Sequence, residues 1–466
     1  MAAESGGIFN LTRFANSVAV VTADREVSYS ELDEISRTQS KALRAGDLVA
    51  IVGSNTFGAI SAYVACQQFG CPVLLVDAQL DRSRMVRIFD RYQVSIAYTG
   101  AWSRLRAVGP RLHSELALLL STSGSTGDPK FVRLSRSAML ANAQSIAEYL
   151  HLSAKDRSIT SLPFHYSYGL SVVHSHLLVG GSIVVAEMPV TQREFWEVVR
   201  TRGVSNIAGV PVMYDWMRRL RIERMELPAL RMLTQAGGRL APESVLWWAE
   251  TGREKGWEFF VMYGQTEATA RMAYLPPKLA GSRPDSIGLP IPGGTFTLVD
   301  DGGEQINESE REGELVYAGA NVMLGYAAEA ADLALGDELG GVLHTGDVAV
   351  RDSEGMYRIV GRKSRFLKVF GKRLALDHLE RLLADRGLTA IVTGRDDCVV
   401  VVASDAQSAD AAAAAVAELA GVHRSVVNSL PMAETPRTSS GKLNYAEIIA
   451  VFDRHRQDAH SSGRNR

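Results

Sequence analysis

Residues 116–130 read LALLLSTSGSTGDPK: five aliphatic residues, Leu116 to Leu120, run directly into a loop of hydroxyls and glycines that ends on Lys130. An apolar run of that length, closed by turn residues, predicts a buried strand. The same texture extends upstream. Residues 48–51 (LVAI), 72–76 (PVLLV) and 95–98 read as strands, and residues 59–69 and 81–92 between them read as helices. That β–α–β–α–β order predicts a parallel sheet covered by helices. Downstream the pattern continues as a helix over 137–150, strands over 181–185 and 206–210, and helices over 194–202 and 211–221.

After about residue 285 the texture changes. Strands over 295–299 and 313–317 flank the polar turn DDGGEQINESERE, which predicts antiparallel structure. A break follows near 361–364, and the last hundred or so residues mix charged helices with short strands. Residues 405–419 are alanine-rich and read as an exposed helix. The tail HRQDAHSSGRNR is polar and reads as unstructured.

Composition narrows the function. The 466 residues are 46% hydrophobic and carry 50 Lys and Arg against 52 Asp and Glu, a net charge of −2. Near-neutral charge argues against a nucleic-acid coat. Cys66, Cys71 and Cys398 are too few for a disulfide framework and lack zinc-site spacing. No run approaches the ~18 apolar residues of a membrane span, and the first residues lack a signal-peptide pattern. The expectation is a cytoplasmic protein without nucleic-acid or membrane partners. Glycine, at 41 residues, stands slightly above the usual share. These glycines are either scattered turns or loops that approach a ligand closely.

The loop after Leu120 can wrap backbone N–H and hydroxyl donors around phosphate oxygens, with Lys130 as a nearby cation. The alternative is a plain hydroxyl-rich turn. A Walker A loop is excluded, because Gly124 is followed four residues on by Asp128 and Lys130 is preceded by Pro129. The later Gly441-Lys442 is followed by Leu443, with Pro436 at the first glycine position. His174 and His176 lie in an apolar stretch without further ligands and read as structural.

The loop resembles the phosphate loop of the adenylate-forming superfamily, which includes AMP-forming acyl- and aryl-CoA synthetases. Further segments match that family in order: 162–169 (LPFHYSYG), 235–238 (QAGG), 262–267 (MYGQTE), 344–347 (HTGD), 361–371 (GRKSRFLKVFG) and 436–442 (PRTSSGK). The opening region 27–77 is also similar, so the resemblance covers nearly the whole chain. It implies an α/β fold: a large N-terminal domain, residues 1–362, of βαβ-type sheets flanked by helices plus an antiparallel β subdomain. A small, mobile α+β C-terminal domain, residues 363–466, would carry the catalytic lysine.

The resemblance also implies roles. ATP and a carboxylate would give acyl-adenylate and pyrophosphate, two anions brought together by positioning and charge neutralisation. Thr122, Ser123, Gly124, Ser125, Thr126, Gly127 and Lys130 would hold the β and γ phosphates. Glu267 would bind Mg²⁺, and Thr266 the α-phosphate. Tyr263 would lie against adenine, with Gly237, Gly238 and Gly264 close by. Asp347, helped by Arg362, would take the ribose hydroxyls. Lys442 would bridge carboxylate and α-phosphate, with His165 a further catalytic candidate. Lys368 and Gly371 would face the incoming thiol. Gln265, Thr269 and Arg271 acquire no role.

Three departures stand out. Ser364 occupies the hinge position, where the family carries Asp or Lys. Arg136 follows Ser135 where the family often has His. Residues 327–343 are short. Amino-acid-activating relatives have an Asp within the segment matching 164–169, and none is present, so an α-amino acid is disfavoured. Tyr166, Tyr168, Val210, Pro211, Met213 and Met272 would line a pocket for an apolar or aromatic carboxylate. Coenzyme A and the phosphopantetheine of an acyl carrier protein both remain open as acceptors, and a catalytically inactive nucleotide-binding homologue is the third reading. The basic cluster Arg362, Lys363, Arg365, Lys368, Lys372 and Arg373 is either a solvated face or a contact for those anionic thiol donors.

Overall fold

A computed structural model describes residues 9–121, 130–363, 365–370, 372–438 and 443–462. The chain divides into two compact units. The first comprises the described residues up to 296 together with 317–343; the second comprises 297–316 and the residues from 344 on.

Among the described residues the first unit holds two sheets. In the seven-stranded sheet, Leu116–Ser121, Val73–Val76, Val49–Val52 and Ile96–Tyr98 lie side by side and parallel. These are the four aliphatic runs of the sequence, each with both faces covered, which is why they do not alternate. Antiparallel strands close the sheet: Phe131–Ser135 and Gly325–Ala327 at one edge, Trp102–Arg104 at the other. The nine-stranded sheet has a parallel centre running from Val18–Val21 through Ser182–Val184, Arg157–Ile159, Asn206–Gly209 and Met232–Gln235 to Glu258–Tyr263.

The intervening helices are locally encoded. Thr56 caps Phe57–Phe69, which stops at Gly70 in a left-handed conformation (φ 83°). Ser135 caps Arg136–Tyr149, and Pro211 starts Pro211–Arg219. One buried cluster joins Val20 and Ile183 of the larger sheet to Val49, Ile51 and Leu75 of the smaller, through Ile60, Tyr63, Leu170 and Val173 on helices. The fully buried Arg133 stands out in its strand. Its guanidinium pairs with Glu338 and bonds the carbonyl oxygens of Tyr326 and Leu335, tying down the segment that follows Leu324.

The strands Gly294–Val299, Gln305–Ile306, Gly313–Gly319, Val342–Arg351 and Tyr357–Arg362 form a five-stranded sheet that belongs mostly to the second unit. The antiparallel reading of this region holds where the pairing is defined. The rest of that unit is a hairpin, Phe366–Val369 with Lys372–Ala375, and a three-stranded sheet backed by helices Leu376–Asp385, Ala406–Ala420 and Tyr445–Ser462. Arg365 holds it together, pairing with Asp377 and with Glu380 at 2.8 Å and lying 4.6 Å from the Tyr445 ring.

Two expectations are corrected. The alanine-rich segment is a helix, but Ala409, Ala412, Ala413 and Val416 are fully buried against the sheet. Small residues let the helix approach closely, and alanine periodicity gives little amphipathic contrast to read. The tail is not unstructured from residue 455: helix Tyr445–Ser462 runs into it as far as Ser462, anchored by Ile448 and Phe452 in the core. No described helix is long and apolar enough to cross a membrane.

His174 and His176 are core residues. His174 Nε2 lies 2.7 Å from the Tyr63 hydroxyl, and His176 bonds Val172 O and Asn206. Burial pulls the His174 pKa down to about 3. The folded state therefore stays neutral while the unfolded state gains a proton below ~6.5, so stability falls as pH drops from 6.5 toward 3. Between pH 7 and 5 this residue should remove about 2 kcal/mol. Urea unfolding at the two pH values should show His174→Phe with a correspondingly smaller difference than the wild type.

Candidate active site

Strand Glu258–Tyr263 ends at Gly264, in the middle of the YGQTE segment. A Cβ at Gly264 would lie 1.8 Å from the Ala270 carbonyl oxygen, so only glycine lets the chain fold back here. The turn Thr266–Ala268 follows, then Thr269 and Ala270 at φ 56° and 97°. Such angles cost free energy for residues with a Cβ and persist only where surroundings over-determine them.

Asn321 supplies that restraint. It is buried, donates from Nδ2 to the carbonyls of Ala268 (2.8 Å) and Arg271 (2.9 Å), and accepts the Thr269 hydroxyl on its own carbonyl at 2.7 Å. Tyr317 in turn donates to Asn321 Oδ1 at 2.7 Å. Asn142 donates to the same Arg271 carbonyl at 2.9 Å. Two residues on, the Met323 amide donates to Glu267 O, and the Tyr326 hydroxyl donates to Glu267 Oε1, both at 2.8 Å. Burial, then the Glu267 charge, push Tyr326 well above the ordinary tyrosine range, so it stays a donor.

The LPFHYSYG segment is placed by Asn55. Its Nδ2 donates to Thr160 O and Leu162 O, and its Oδ1 accepts the Phe164 amide. His165 follows, with Nδ1 3.1 Å from Gly53 O and Nε2 3.5 Å from an Asp77 carboxylate oxygen. The Ser167 hydroxyl lies 3.1 Å from that of Thr266, which joins this segment to the clamped loop. Gly237 (φ 82°) closes the third side: a Cβ there would sit 2.5 Å from the Tyr166 hydroxyl and 3.0 Å from Val210 Cγ1. Gly238 lies beside Pro211 and accepts a hydrogen bond from Gln235.

The first unit therefore gathers Thr266, Glu267 and Gly264 on one loop, with Tyr166, Val210, Pro211, Gly237 and Gly238 around a common point. Tyr263 ends the strand, its hydroxyl bonded by Gln265. Tyr168 is buried, donates to Thr234 O at 2.7 Å and is covered by Arg271. Met213 packs behind Gly209, and Met272 is fully buried with its amide on Tyr263 O. Lys130 is exposed, one residue before strand Phe131–Ser135.

The second unit carries Asp347, 1% exposed, opposite Arg362 in the strand register. Arg362 Nε donates to its Oδ1 at 2.6 Å. Glu314 lies nearby. Burial would raise its pKa, but bonds from Lys363 and His344 outweigh that and hold it low. Of the basic cluster, Arg362, Lys363, Arg365 and Lys372 have intrachain partners, while Lys368 is exposed with its amide on Asp396. Thr122, Ser123, Gly124, Ser125, Thr126, Gly127, Ser364, Gly371 and Lys442 lie outside the described residues. Among the described residues no His, Cys, Asp and Glu cluster resembles a metal centre.

The AMP-binding enzyme family matches residues 10–114 and 105–327. The chain belongs to that family. This AMP-binding enzyme is 27% identical to an indoleacetate–CoA ligase of Aromatoleum aromaticum, over 79% of each chain. It is 25% identical to a 2-succinylbenzoate–CoA ligase of Bacillus subtilis, over 82% of each. In fold it matches the Bacillus subtilis o-succinylbenzoate CoA synthetase bound to its acyl-adenylate: TM-score 0.76, 21% identity, 94% of this chain and 97% of the other. An anthranilate CoA ligase bound to anthranoyl-AMP matches with TM-score 0.75 at 18% identity, over 97% and 99%. By class the chain is an AMP-forming acid–thiol ligase.

Asn321, Asn55 and Tyr326 escape the sequence reading, because a lone polar residue beside apolar runs carries no spacing signal. Asn321→Leu removes the side-chain donor to the Ala268 carbonyl and the acceptor of the Tyr317 hydroxyl, and leaves the Arg271 carbonyl to Asn142. It should cost about 2–5 kcal/mol by denaturant unfolding and lower adenylate formation at least tenfold. Tyr326→Phe, at a partly exposed site, should lower adenylate formation with a stability loss under about 1 kcal/mol.

Proposed function

We propose that this ligase activates an apolar or aromatic carboxylic acid with ATP and transfers the acyl group to coenzyme A. The observation that carries this reading is the clamped Thr266–Glu267 turn. It presents a hydroxyl and a carboxylate, the hydroxyl beside Ser167, on the segment whose Tyr166 packs closely against Gly237. The acid–CoA ligase names of the relatives support the acid and the acceptor.

In the first step a carboxylate oxygen attacks the α-phosphorus and the bond to pyrophosphate breaks. In the second the thiol sulfur attacks the acyl carbon, AMP departs with that oxygen and the thiol proton goes to solvent. Thr266 donates to the α-phosphate, Tyr263 lies against adenine, and Asp347, oriented by Arg362, accepts the ribose hydroxyls. Lys442 bridges the two anions, and residues 122–127 with Lys130 hold the outer phosphates. Glu267 offers hard carboxylate oxygens, one of them oriented by Tyr326, and these suit Mg²⁺, which when bound spreads phosphate charge. His165, held by Gly53 and Asp77, borders the acid. A hinge within 361–364 lets the domain from residue 363 present Lys442 first and then the Lys368–Gly371 loop.

Pyrophosphate release over a panel of carboxylates tests the first step. At least one acid should support it, and Lys442→Ala should reduce it by about 100-fold or more. Release at the wild-type rate by Lys442→Ala, or none with any acid, contradicts the reading. Thioester formation with coenzyme A should exceed that with a phosphopantetheinylated carrier protein; the reverse result transfers the assignment to a carrier-loading ligase.

A further inference from the structure

Arg271 is a cation in the wrong place for a merely structural residue. Its side chain is 1% exposed, and Nε and Nη1 have no hydrogen-bond partner. No described carboxylate pairs with it. The guanidinium lies 3.8 Å from the Tyr168 ring centroid, a favourable contact that offers no acceptor. Burial keeps the tyrosines around it protonated. It pushes Tyr149 up to about 12 despite the Arg271 charge and a side-chain hydrogen bond from Arg271, and raises Tyr166 and Tyr168 as well. None can serve as counter-ion.

A buried charge without a partner is costly, and so are two unfilled donors. The backbone shows that this cost is built in. Thr269 and Ala270, the residues just before Arg271, hold positive φ, and Asn142 and Asn321 both clamp the Arg271 carbonyl. Strained backbone before it and two buried asparagines on its carbonyl thus fix the point from which this buried side chain leaves the chain. Tyr168 and Tyr166, its neighbours, stand on the segment that lines the acid pocket, with ring centroids 6.2 Å apart.

We propose that Arg271 is the recognition group for a second anionic group on the acid, so that the substrates are dicarboxylic acids rather than monoacids. The inference rests on the ligase reading above. The acid's apolar body packs on Tyr166 and Val210, one carboxylate meets the α-phosphate, and the other fills the vacant donors of Arg271. An ammonium-bearing acid is disfavoured twice, having no counter-charge and facing a cation.

The test compares pyrophosphate release with matched probes, benzoate against isophthalate and hexanoate against adipate. For at least one pair the wild type should favour the diacid in kcat/KM by about 10- to 100-fold, the worth of a charged hydrogen-bonded pair. Arg271→Met should erase that preference by raising KM for the diacid, while leaving the monoacid within about threefold. Arg271→Lys should fall between. Thermal melts report folding; if Arg271→Met does not fold, the wild-type ratio and Arg271→Lys decide. Faster turnover of every monoacid than of its diacid overturns the proposal. So does an equal loss on both acids with unchanged melting. Absence of release with every acid, mono or di, overturns the ligase reading itself.

Discussion

The first unit's site depends on one buried amide. Asn321 bonds two carbonyls of the 264–271 loop and takes a hydroxyl from it, while Tyr317 saturates the remaining acceptor. A loop with two strained residues would otherwise relax outward. With the restraint in place, one face of the loop presents Thr266 and Glu267 and the chain leaves it at Arg271. On the proposed reading, reacting chemistry and acid selection share this one mechanical support, and a change at Asn321 should disturb both. Gly264 is the steric counterpart, because any side chain there would strike the Ala270 carbonyl.

The electrostatics follow from what must be bound. Two anions must meet, so the protein supplies fixed donors and cations, not new covalent chemistry. Asp347 is the exception that fits: a buried carboxylate oriented by Arg362 suits neutral hydroxyls and would repel phosphate. Burial holds Tyr166 and Tyr168, the tyrosines beside Arg271, neutral, so neither offsets its charge.

Legibility in the sequence tracks the kind of signal. Val49–Val52, Val73–Val76, Ile96–Tyr98 and Leu116–Ser121 were readable because parallel strands are buried on both faces and form continuous aliphatic runs. Thr266, Glu267 and Asp347 stood out through ordered motifs. Arg271 did not, since an arginine's burial and lack of a partner are properties of three-dimensional neighbours. Asn55 and Asn321 act on backbone carbonyls, which carry no sequence identity. Ala406–Ala420 was readable as a helix but not as a buried one, because alanine fits either environment.

In the proposed first step the acid's own oxygen attacks the α-phosphorus. Incubation with ATP, coenzyme A and an ¹⁸O-carboxylate-labelled acid that supports pyrophosphate release, followed by mass spectrometry of the nucleotide, tests it directly. The account predicts AMP carrying one ¹⁸O. Unlabelled AMP, or label recovered in inorganic phosphate alongside ADP, would contradict it.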